Sequence, residues 1–329
     1  VPSTSLAATR SATPIACNGT YVNCPVNTGG CRPVARKHIL MKSSLTAKAP
    51  RLIQCATPWS MSNFPSAKHE WSMERKVKAV KAAGFDGFAG IPDEKIAGLC
   101  QQLGLKLMGG MDGSNVAKAK KEMIRQRDLG AIYLNVQLLD HNSPLAKAAK
   151  TAVQLVKAGD EVGVKVHLET HRDTSTETPE KYEEIARLYK KQTGKLMPTT
   201  WDHSHLAIVK HLVPSNYAER LLVWPKLIQH SNIFHLRPFN GQHCQVPVTN
   251  GKGKLTPEFL DYLAFVEELF VCWLRGPKSG GALWVVPEMG YSHGYYLSGQ
   301  PHPWIDARAA RIEYTGAWHR ALKRSAKSK

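Results

Sequence analysis

Residues 131–169, AIYLNVQLLDHNSPLAKAAKTAVQLVKAGDEVGVKVHLE, contain the pattern on which the fold prediction rests. Two short apolar runs, 131–136 and 164–169, flank a longer amphipathic stretch over 144–160. Parallel strands need a crossover connection of this length, which is usually a helix. The segment therefore predicts a strand, a helix and a second strand parallel to the first.

The same alternation continues from Arg51 towards the end of the chain, and eight strand–helix pairs can be drawn. The predicted strands are 51–56, 85–89, 105–109, 131–136, 164–169, 196–202, 232–236 and 282–287. The predicted helices lie near 71–83, 93–103, 114–128, 144–160, 178–192, 205–212, 256–274 and 304–324. Eight such pairs predict a single α/β domain, the (β/α)₈ TIM barrel. The interval 213–231 leaves room for an extra helix.

Local signals mark several of the predicted helix ends. Thr178 and Thr256 are each followed by Pro and Glu, which favour the first turn of a helix. Gly84, Gly104 and Gly130 fall just after predicted helices, where a left-handed residue is often needed.

Residues 1–50 differ from the rest of the chain. They contain no Asp or Glu and six Lys or Arg, and they show no strand or helix periodicity. We expect an irregular basic N-terminal extension over residues 1–50, which is transit-like, artefactual or disordered, followed by a TIM-barrel catalytic domain over residues 51–329. No apolar run approaches the roughly 18 residues needed to cross a bilayer, so no membrane span is expected.

The chain is strongly basic, with 44 Lys and Arg against 26 Asp and Glu and a formal net charge of +18. This charge favours anionic partners. The basic residues are spread along helical faces that look solvated, so a nucleic-acid interface is not predicted. The seven cysteines show no metal or redox spacing and fit a reducing compartment. We expect a cytoplasmic protein, or an organellar one if residues 1–50 are a transit peptide.

Four side chains able to bind a metal stand at the ends of the last four predicted strands: Glu169, Asp202, His235 and Glu288. In a (β/α)₈ barrel the chemistry gathers at these carboxyl ends. A strand-end carboxylate taken alone is often a loop-capping group, and a lone histidine is usually a core residue. Three converging carboxylates, however, would repel one another strongly. We therefore expect the four side chains to share one divalent cation.

The expected ligand set consists of three carboxylates and one imidazole. Hard divalent ions prefer such oxygen-rich sets, so Mn²⁺ is favoured, with Mg²⁺, Co²⁺ and Zn²⁺ as alternatives. The absence of cysteine from the set argues against a structural zinc site.

The order of these residues resembles a known superfamily. The segment from Asp202 to His205 has the form D-x-x-H, and the segment from His235 to Arg237 has the form H-x-R. With Glu169 before them and Glu288 after them, the pattern is similar to the xylose-isomerase-like sugar phosphate isomerases and epimerases. This superfamily shares its barrel with abasic-site endonucleases, and its metal site is best understood in the ketose 3-epimerases. The interval between His235 and Glu288 is longer than in the compact epimerases, which implies an enlarged loop after the seventh strand.

The resemblance implies a metal-dependent isomerase or epimerase that acts on a sugar or sugar-derived keto compound by proton transfer through a metal-stabilised enediolate. Glu169 and Glu288 would be metal ligands and also the catalytic acid/base pair. His205 would bind a substrate hydroxyl, and Arg237 the developing oxyanion or an anionic substituent. The ketose 3-epimerases carry a further Glu where this chain has Ser175, so the details of their substrate handling do not carry over.

Other residues near the predicted strand ends are candidates for substrate contacts. They are His171, Arg172, His141, His243 and Trp59, with Trp201 as a second aromatic candidate. The expected partner is a small carbohydrate, and the basic charge favours an anionic one. The sequence leaves a homo-oligomer open.

Two alternative enzymes share much of this pattern. A lyase or dehydratase of the same superfamily would begin with the same proton abstraction, and nothing in the sequence separates it from an isomerase. An abasic-site endonuclease would need additional histidines from the second and third strands. Those strand ends read Phe88-Ala89-Gly90 and Met108-Gly109-Gly110, so the nuclease is less favoured.

Overall fold

The computed structural model describes residues 49–90, 93–276 and 280–327. Within them eight parallel strands close into a barrel in the order β1 to β8, with β8 paired to β1. The strands are β1 (Arg51–Ala56), β2 (Gly87–Ala89), β3 (Lys106–Asp112), β4 (Ala131–Gln137), β5 (Lys165–Glu169), β6 (Thr199–Asp202), β7 (Ile233–His235) and β8 (Ala282–Val286). Each strand overlaps the one predicted, so the (β/α)₈ barrel is confirmed.

Helices follow every strand. They are α1 (Met73–Ala82), α2 (Glu94–Gln102), α3 (Val116–Asp128), α4 (Leu145–Val162), α5 (Pro179–Thr193), α6 (His203–Val209), α7 (Tyr217–Leu221), α8 (Pro225–His230), α9 (Pro257–Leu274) and α10 (Pro303–Lys327). The extra helix predicted within 213–231 is present as two short helices, α7 and α8. Among the described residues, no helix combines the length and the apolar character needed to span a bilayer.

The strand side chains alternate between two apolar cores. Ile53 of β1 and Trp284 and Val286 of β8 belong to a small cluster, which we assign to the barrel interior. Leu283 and Val285 of β8 belong instead to the large core that includes the helices. Because both faces of the sheet are covered, the strands read as nearly continuous apolar runs.

The predicted helix ends are confirmed by the backbone. The hydroxyls of Thr178 and Thr256 each accept a hydrogen bond from the backbone N–H three residues later. Gly84, Gly104 and Gly130 have φ values of 78°, 64° and 96°. A residue with a Cβ adopts this left-handed region only at a cost, which explains glycine at these helix ends.

The enlarged loop expected after the seventh strand is present over residues 236–256, between β7 and α9. The buried carboxylate of Asp306, in the first turn of α10, fixes this loop. It accepts hydrogen bonds from the backbone N–H of Val248 at 2.8 Å and from the N–H and hydroxyl of Thr249 at 3.1 and 2.8 Å. The loop after β7 is thus tied to the helix that follows β8.

The predicted N-terminal extension over residues 1–50 lies almost wholly outside the described residues, which begin at residue 49. Its nature, and the boundary with a catalytic domain over 51–329, therefore stay predictions.

Two glycines in helices give a test of how tightly the helices pack against the barrel. A Cβ on Gly159 of α4 would lie 2.6 Å from Val166 Cγ2 of β5, whereas a Cβ on Gly98 of α2 would meet nothing within 4 Å. We expect Gly159→Ala to lower the free energy of unfolding, because overpacking costs about 1–3 kcal/mol and exceeds the helix-propensity gain. Gly98→Ala should raise it by about 0.5–1 kcal/mol. Chemical unfolding curves measure both, and shifts of the same sign would contradict this packing.

Candidate metal centre

Four strands bring the predicted metal ligands to one end of the barrel. Glu169, Asp202 and His235 are the last residues of β5, β6 and β7, and Glu288 lies two residues beyond β8. One ligand atom from each of the four lies within 4.8 Å of the others. Ligands about 2.0–2.3 Å from a common ion are separated by distances of this size, so the set fits one divalent cation.

His235 lies between two of the carboxylates. Its Nδ1 is 2.8 Å from Glu169 Oε1 and 2.9 Å from Glu288 Oε2. Burial by itself would lower the pKa of His235, but the negative charges of Glu288 and Glu169 and the hydrogen bonds to both raise it well above its usual value. The two carboxylates therefore favour a protonated imidazole, whose positive charge offsets part of theirs.

Arg237 neutralises the other side of the cluster. This side chain is only 1% exposed, and its Nη2 donates to Glu288 Oε2 at 2.7 Å and lies 3.1 Å from Asp202 Oδ2. Burial opposes the charge of Arg237, yet Glu288 and Asp202 raise its pKa above the usual value. Arg237 therefore stays charged and offsets part of the carboxylate repulsion.

Asp202 is held by the chain on both sides of it. Its Oδ1 accepts from the backbone N–H of Ser204 at 2.9 Å and caps α6. The hydroxyl of Thr170 accepts from the backbone N–H of Asp202 at 2.9 Å and donates to its carbonyl oxygen at 3.0 Å. Burial raises the pKa of Asp202 despite the opposing charge of Arg237. The raised pKa means that nearby positive charge does not fully offset the cost of burying the ionised carboxylate. A bound cation would supply the missing positive charge.

Asn135 of β4 is a site residue that the sequence analysis missed. Its Nδ2 donates to Glu169 Oε2 at 2.7 Å, so both oxygens of Glu169 are held, one by Asn135 and one by His235. Its Oδ1 is buried and has no hydrogen-bond partner among the described residues. A polar residue inside the otherwise apolar run AIYLNV was the available signal.

His205 contributes a second set of unused polar atoms. The side chain is fully buried in α6, and its Nε2 lies 3.4 Å from Asp202 Oδ2 without hydrogen-bond geometry. Burial, with the charge of Arg237, lowers the pKa of His205 well below its usual value, so the ring is neutral. His171 packs against it with ring centroids 4.2 Å apart. Both predicted histidines therefore lie beside the cluster.

Trp59 and two loops cover the cluster. Trp59 Nε1 donates to Ser292 Oγ at 2.7 Å, and its ring meets the ring of Tyr295 edge to face at 5.0 Å. The amide of Gln245, in the loop after β7, donates to the carbonyl oxygens of Gly290 and Tyr295 at 3.0 and 3.1 Å. A Cβ on Gly290 would lie 2.0 Å from the Trp59 ring, so only glycine fits there.

A cavity of about 150 Å³ adjoins the cluster. Its polar lining includes Asn135, His235 and Glu288, and its remaining lining includes the glycines 90, 109 and 110. A Cβ on Gly110 would meet only the carbonyl oxygen of Asn135, at 3.4 Å, so the end of β3 leaves room for a small ligand next to the carboxylates. The space beside Gly109 is instead filled by the side chain of Gln126.

Three predicted residues have other surroundings. His141 is exposed and pairs with Asp173 at 2.8 Å. His243 is exposed, and its backbone exchanges hydrogen bonds with Asn240 in its own loop. The suggestion that Trp201 stacks on a sugar is wrong, because Trp201 is fully buried, stacks on His203 and donates to Ser231.

Metal binding can be tested by the stability that it adds. EDTA-treated protein should gain thermal stability with excess MnCl₂, by about 2.7 kcal/mol at a concentration a hundredfold above Kd, because the ion binds only the folded cluster. Asp202→Asn keeps the cap of α6 but removes a charged ligand, so most of this gain should disappear. Asp128→Asn, an exposed residue paired with Arg127, is the control for the lost charge. Calorimetry and elemental analysis measure the effect; wild-type metal content in Asp202→Asn would contradict the assignment.

Comparison with known proteins supports the fold. No protein-family model matches the sequence, and no curated protein is significantly similar to it. A D-allulose 3-epimerase from Methylomonas sp. is 14% identical, covers 85% of this chain and 100% of its own, and has a TM-score of 0.50. A 3-keto-D-glucoside 4-epimerase from E. coli is 15% identical, with coverages of 81% and 100% and a TM-score of 0.50. A xylose isomerase-like TIM-barrel protein from Mycobacterium smegmatis, in complex with magnesium, is 15% identical, with coverages of 81% and 97% and a TM-score of 0.51. The chain therefore has the fold of the xylose isomerase-like TIM barrels.

Proposed function

We propose that the chain is a divalent-metal-dependent isomerase or epimerase that moves a proton at a carbon next to the carbonyl group of a sugar or sugar-derived keto compound. One observation carries the proposal: the carboxylates of Glu169 and Glu288 converge on the same nitrogen of His235, beside Asp202 and next to a cavity of about 150 Å³. A proton transfer between two faces of a carbon needs two such groups around one substrate. Two of the proteins with a similar fold are epimerases, which agrees with this chemistry.

The four clustered side chains would hold the metal ion. Three carboxylates and one imidazole suit Mn²⁺ best, with Mg²⁺, Co²⁺ and Zn²⁺ as the alternatives that elemental analysis distinguishes. When bound, the ion would polarise the substrate carbonyl and stabilise negative charge on its oxygen.

Glu169 and Glu288 differ in their surroundings, as an acid/base pair requires. The Glu169 side chain is 2% exposed, and both of its oxygens are engaged by His235 and Asn135. The Glu288 side chain is 18% exposed and lines the cavity. We therefore assign to Glu288, as a carboxylate, the removal of the proton from the substrate carbon. Glu169, in its protonated form, would deliver a different proton to the opposite face, and exchange with water would restore both groups.

Buried N–H groups would bind the substrate oxygens. Arg237 Nη1 is buried without a hydrogen-bond partner among the described residues. Both ring nitrogens of His205 are also without a partner there, and one of them carries the hydrogen of the neutral ring. A buried N–H that binds no acceptor costs about 1–3 kcal/mol, so a substrate hydroxyl or carbonyl that accepts from it is favoured strongly. These two residues would orient the substrate against the carboxylates.

The abasic-site endonuclease is not supported. In the described part of the chain one group of three or more metal-binding side chains is brought together. The end of β2 is followed by Gly90, and β3 contains Gly109 and Gly110 near its end, where that nuclease would need histidine ligands.

Solvent isotope exchange tests the reaction directly. A substrate incubated with the metal-loaded protein in D₂O should gain deuterium at the carbon next to its carbonyl group. Ketoses, 3-keto sugars and sugar phosphates would be screened for this exchange by mass spectrometry and NMR. Glu169→Gln and Glu288→Gln should each lower the exchange rate by about 10²–10⁴-fold, because each removes one proton-transfer group. Glu184→Gln, at a half-exposed position of α5 that pairs with Arg187, is the control.

The product mass separates the two related reactions. An isomer or epimer keeps the substrate mass apart from the deuterium, whereas a lyase or dehydratase product has lost water or an aglycone. An active double variant of Glu169 and Glu288 would refute the acid/base pair.

Asn135 gives a second prediction. Asn135→Leu has a similar size but removes the hydrogen bond to Glu169, so kcat should fall by roughly 10- to 100-fold while metal binding is retained. Asn135→Asp should be more harmful, because it places a fourth carboxylate against Glu169. Asn142→Leu, on an exposed loop, is the control. Unchanged kcat in Asn135→Leu would show that this contact has no functional role.

A further inference from the structure

Arg172, in the loop after β5, is a partly buried guanidinium without an acidic partner. Its Nη1 donates to Cys244 Sγ at 3.5 Å, a weak acceptor. Among the described residues no carboxylate lies within ion-pairing distance of Arg172; the adjacent acid, Asp173, pairs with His141 instead. The other guanidinium N–H groups of Arg172 therefore have no acceptor among the described residues.

The position of Arg172 is next to the candidate metal centre. Its guanidinium carbon lies 4.5 Å from the centroid of the Tyr295 ring, and that of Arg237 lies at the same distance from the same ring. Arg237 in turn contacts Glu288 and Asp202. The ring of Tyr295 thus contacts both arginines. Carboxylates neutralise Arg237 but not Arg172.

The surroundings hold Arg172 in place. Tyr295 is buried, its carbonyl oxygen accepts from Gln245, and its ring packs against Trp59. A guanidinium stacked on a fixed aromatic ring loses little conformational freedom when it binds an anion. A side chain that only carries surface charge does not need such a fixed position, whereas an anion-binding side chain gains affinity from it.

The charges of the site point the same way. Glu169, Asp202 and Glu288 supply at most three negative charges, which a divalent cation together with Arg237 would balance. Arg172 is then left as an uncompensated positive charge at the edge of the site. A substrate with one negative charge would restore the balance.

We propose that Arg172 binds a carboxylate group on the substrate, so that the enzyme acts on an acidic sugar such as a uronate, or on its keto isomer, rather than on a neutral sugar. The proposal rests on the function proposed above. A planar carboxylate matches the two-pronged donor edge of a single guanidinium. A phosphate usually collects more donors. Among the described residues of the site, Arg172 is the arginine that no carboxylate neutralises, and the free donors of Arg237 and His205 are assigned above to other substrate oxygens, so a carboxylate is the better fit.

Binding of matched sugar pairs tests the proposal without requiring turnover. Calorimetric titrations would compare D-glucuronate with D-glucose and D-galacturonate with D-galactose, in EDTA-treated protein and again with excess MnCl₂. We expect at least one uronate to bind roughly tenfold or more tightly than its neutral partner, as one charge-assisted pair contributes. Arg172→Gln should abolish this preference and Arg172→Lys should retain part of it. Arg187→Gln, an exposed arginine paired with Glu184, has the same change in charge and should keep the preference.

Two outcomes would overturn the proposal: equal binding of acid and neutral sugar in both pairs, or a preference that survives in Arg172→Gln. Tighter binding of glucose 6-phosphate than of glucuronate, lost in Arg172→Gln, would overturn the choice of a carboxylate. The metal-free titrations separate this inference from the proposed reaction. A preference for uronates without any deuterium exchange would refute the proposed proton transfer but not the role of Arg172. Deuterium exchange with neutral sugars only would refute the role of Arg172 but not the proton transfer.

Discussion

The repulsion among three clustered carboxylates is the constraint that shapes the site of this protein. Glu169 and Asp202 are buried and Glu288 is 18% exposed, and all three present oxygen atoms within 4.8 Å of one another. The positive charges of Arg237 and of a protonated His235 oppose this repulsion. The arrangement has more negative than positive charge, and a divalent cation would correct the imbalance. The side chains that we propose for catalysis are therefore also the ones through which a bound cation would stabilise the fold.

Much of the fold and the centre of the site was predictable from the sequence. The strand ends were visible because an apolar run that stops at a charged residue marks where a buried strand reaches solvent, and this is how Glu169, Asp202 and Glu288 stood out. Convergence followed from topology, because parallel strands in a barrel bring their carboxyl ends together. No knowledge of side-chain packing was needed for either step.

The remaining site residues depended on information that a single sequence does not hold. Asn135 lies inside a strand, and its contact with Glu169 is set by the register of β4 against β5. Trp201 adjoins Asp202, but successive strand residues face opposite sides, so it packs beneath the helices and away from the site. For His141 and His243 the loops offer no periodicity from which a direction could be inferred, and both side chains are exposed.

The hydrogen bonds from the loop after β7 to Asp306 make the cover of the site depend on the last helix of the chain. Asp306 belongs to α10, which follows all eight strands in the sequence. The backbone N–H groups of Val248 and Thr249 lose these bonds if the first turn of α10 moves away from the barrel. Glu169, Asp202 and His235 lie on the strands themselves, so the cover can loosen together with α10 while these side chains keep their places.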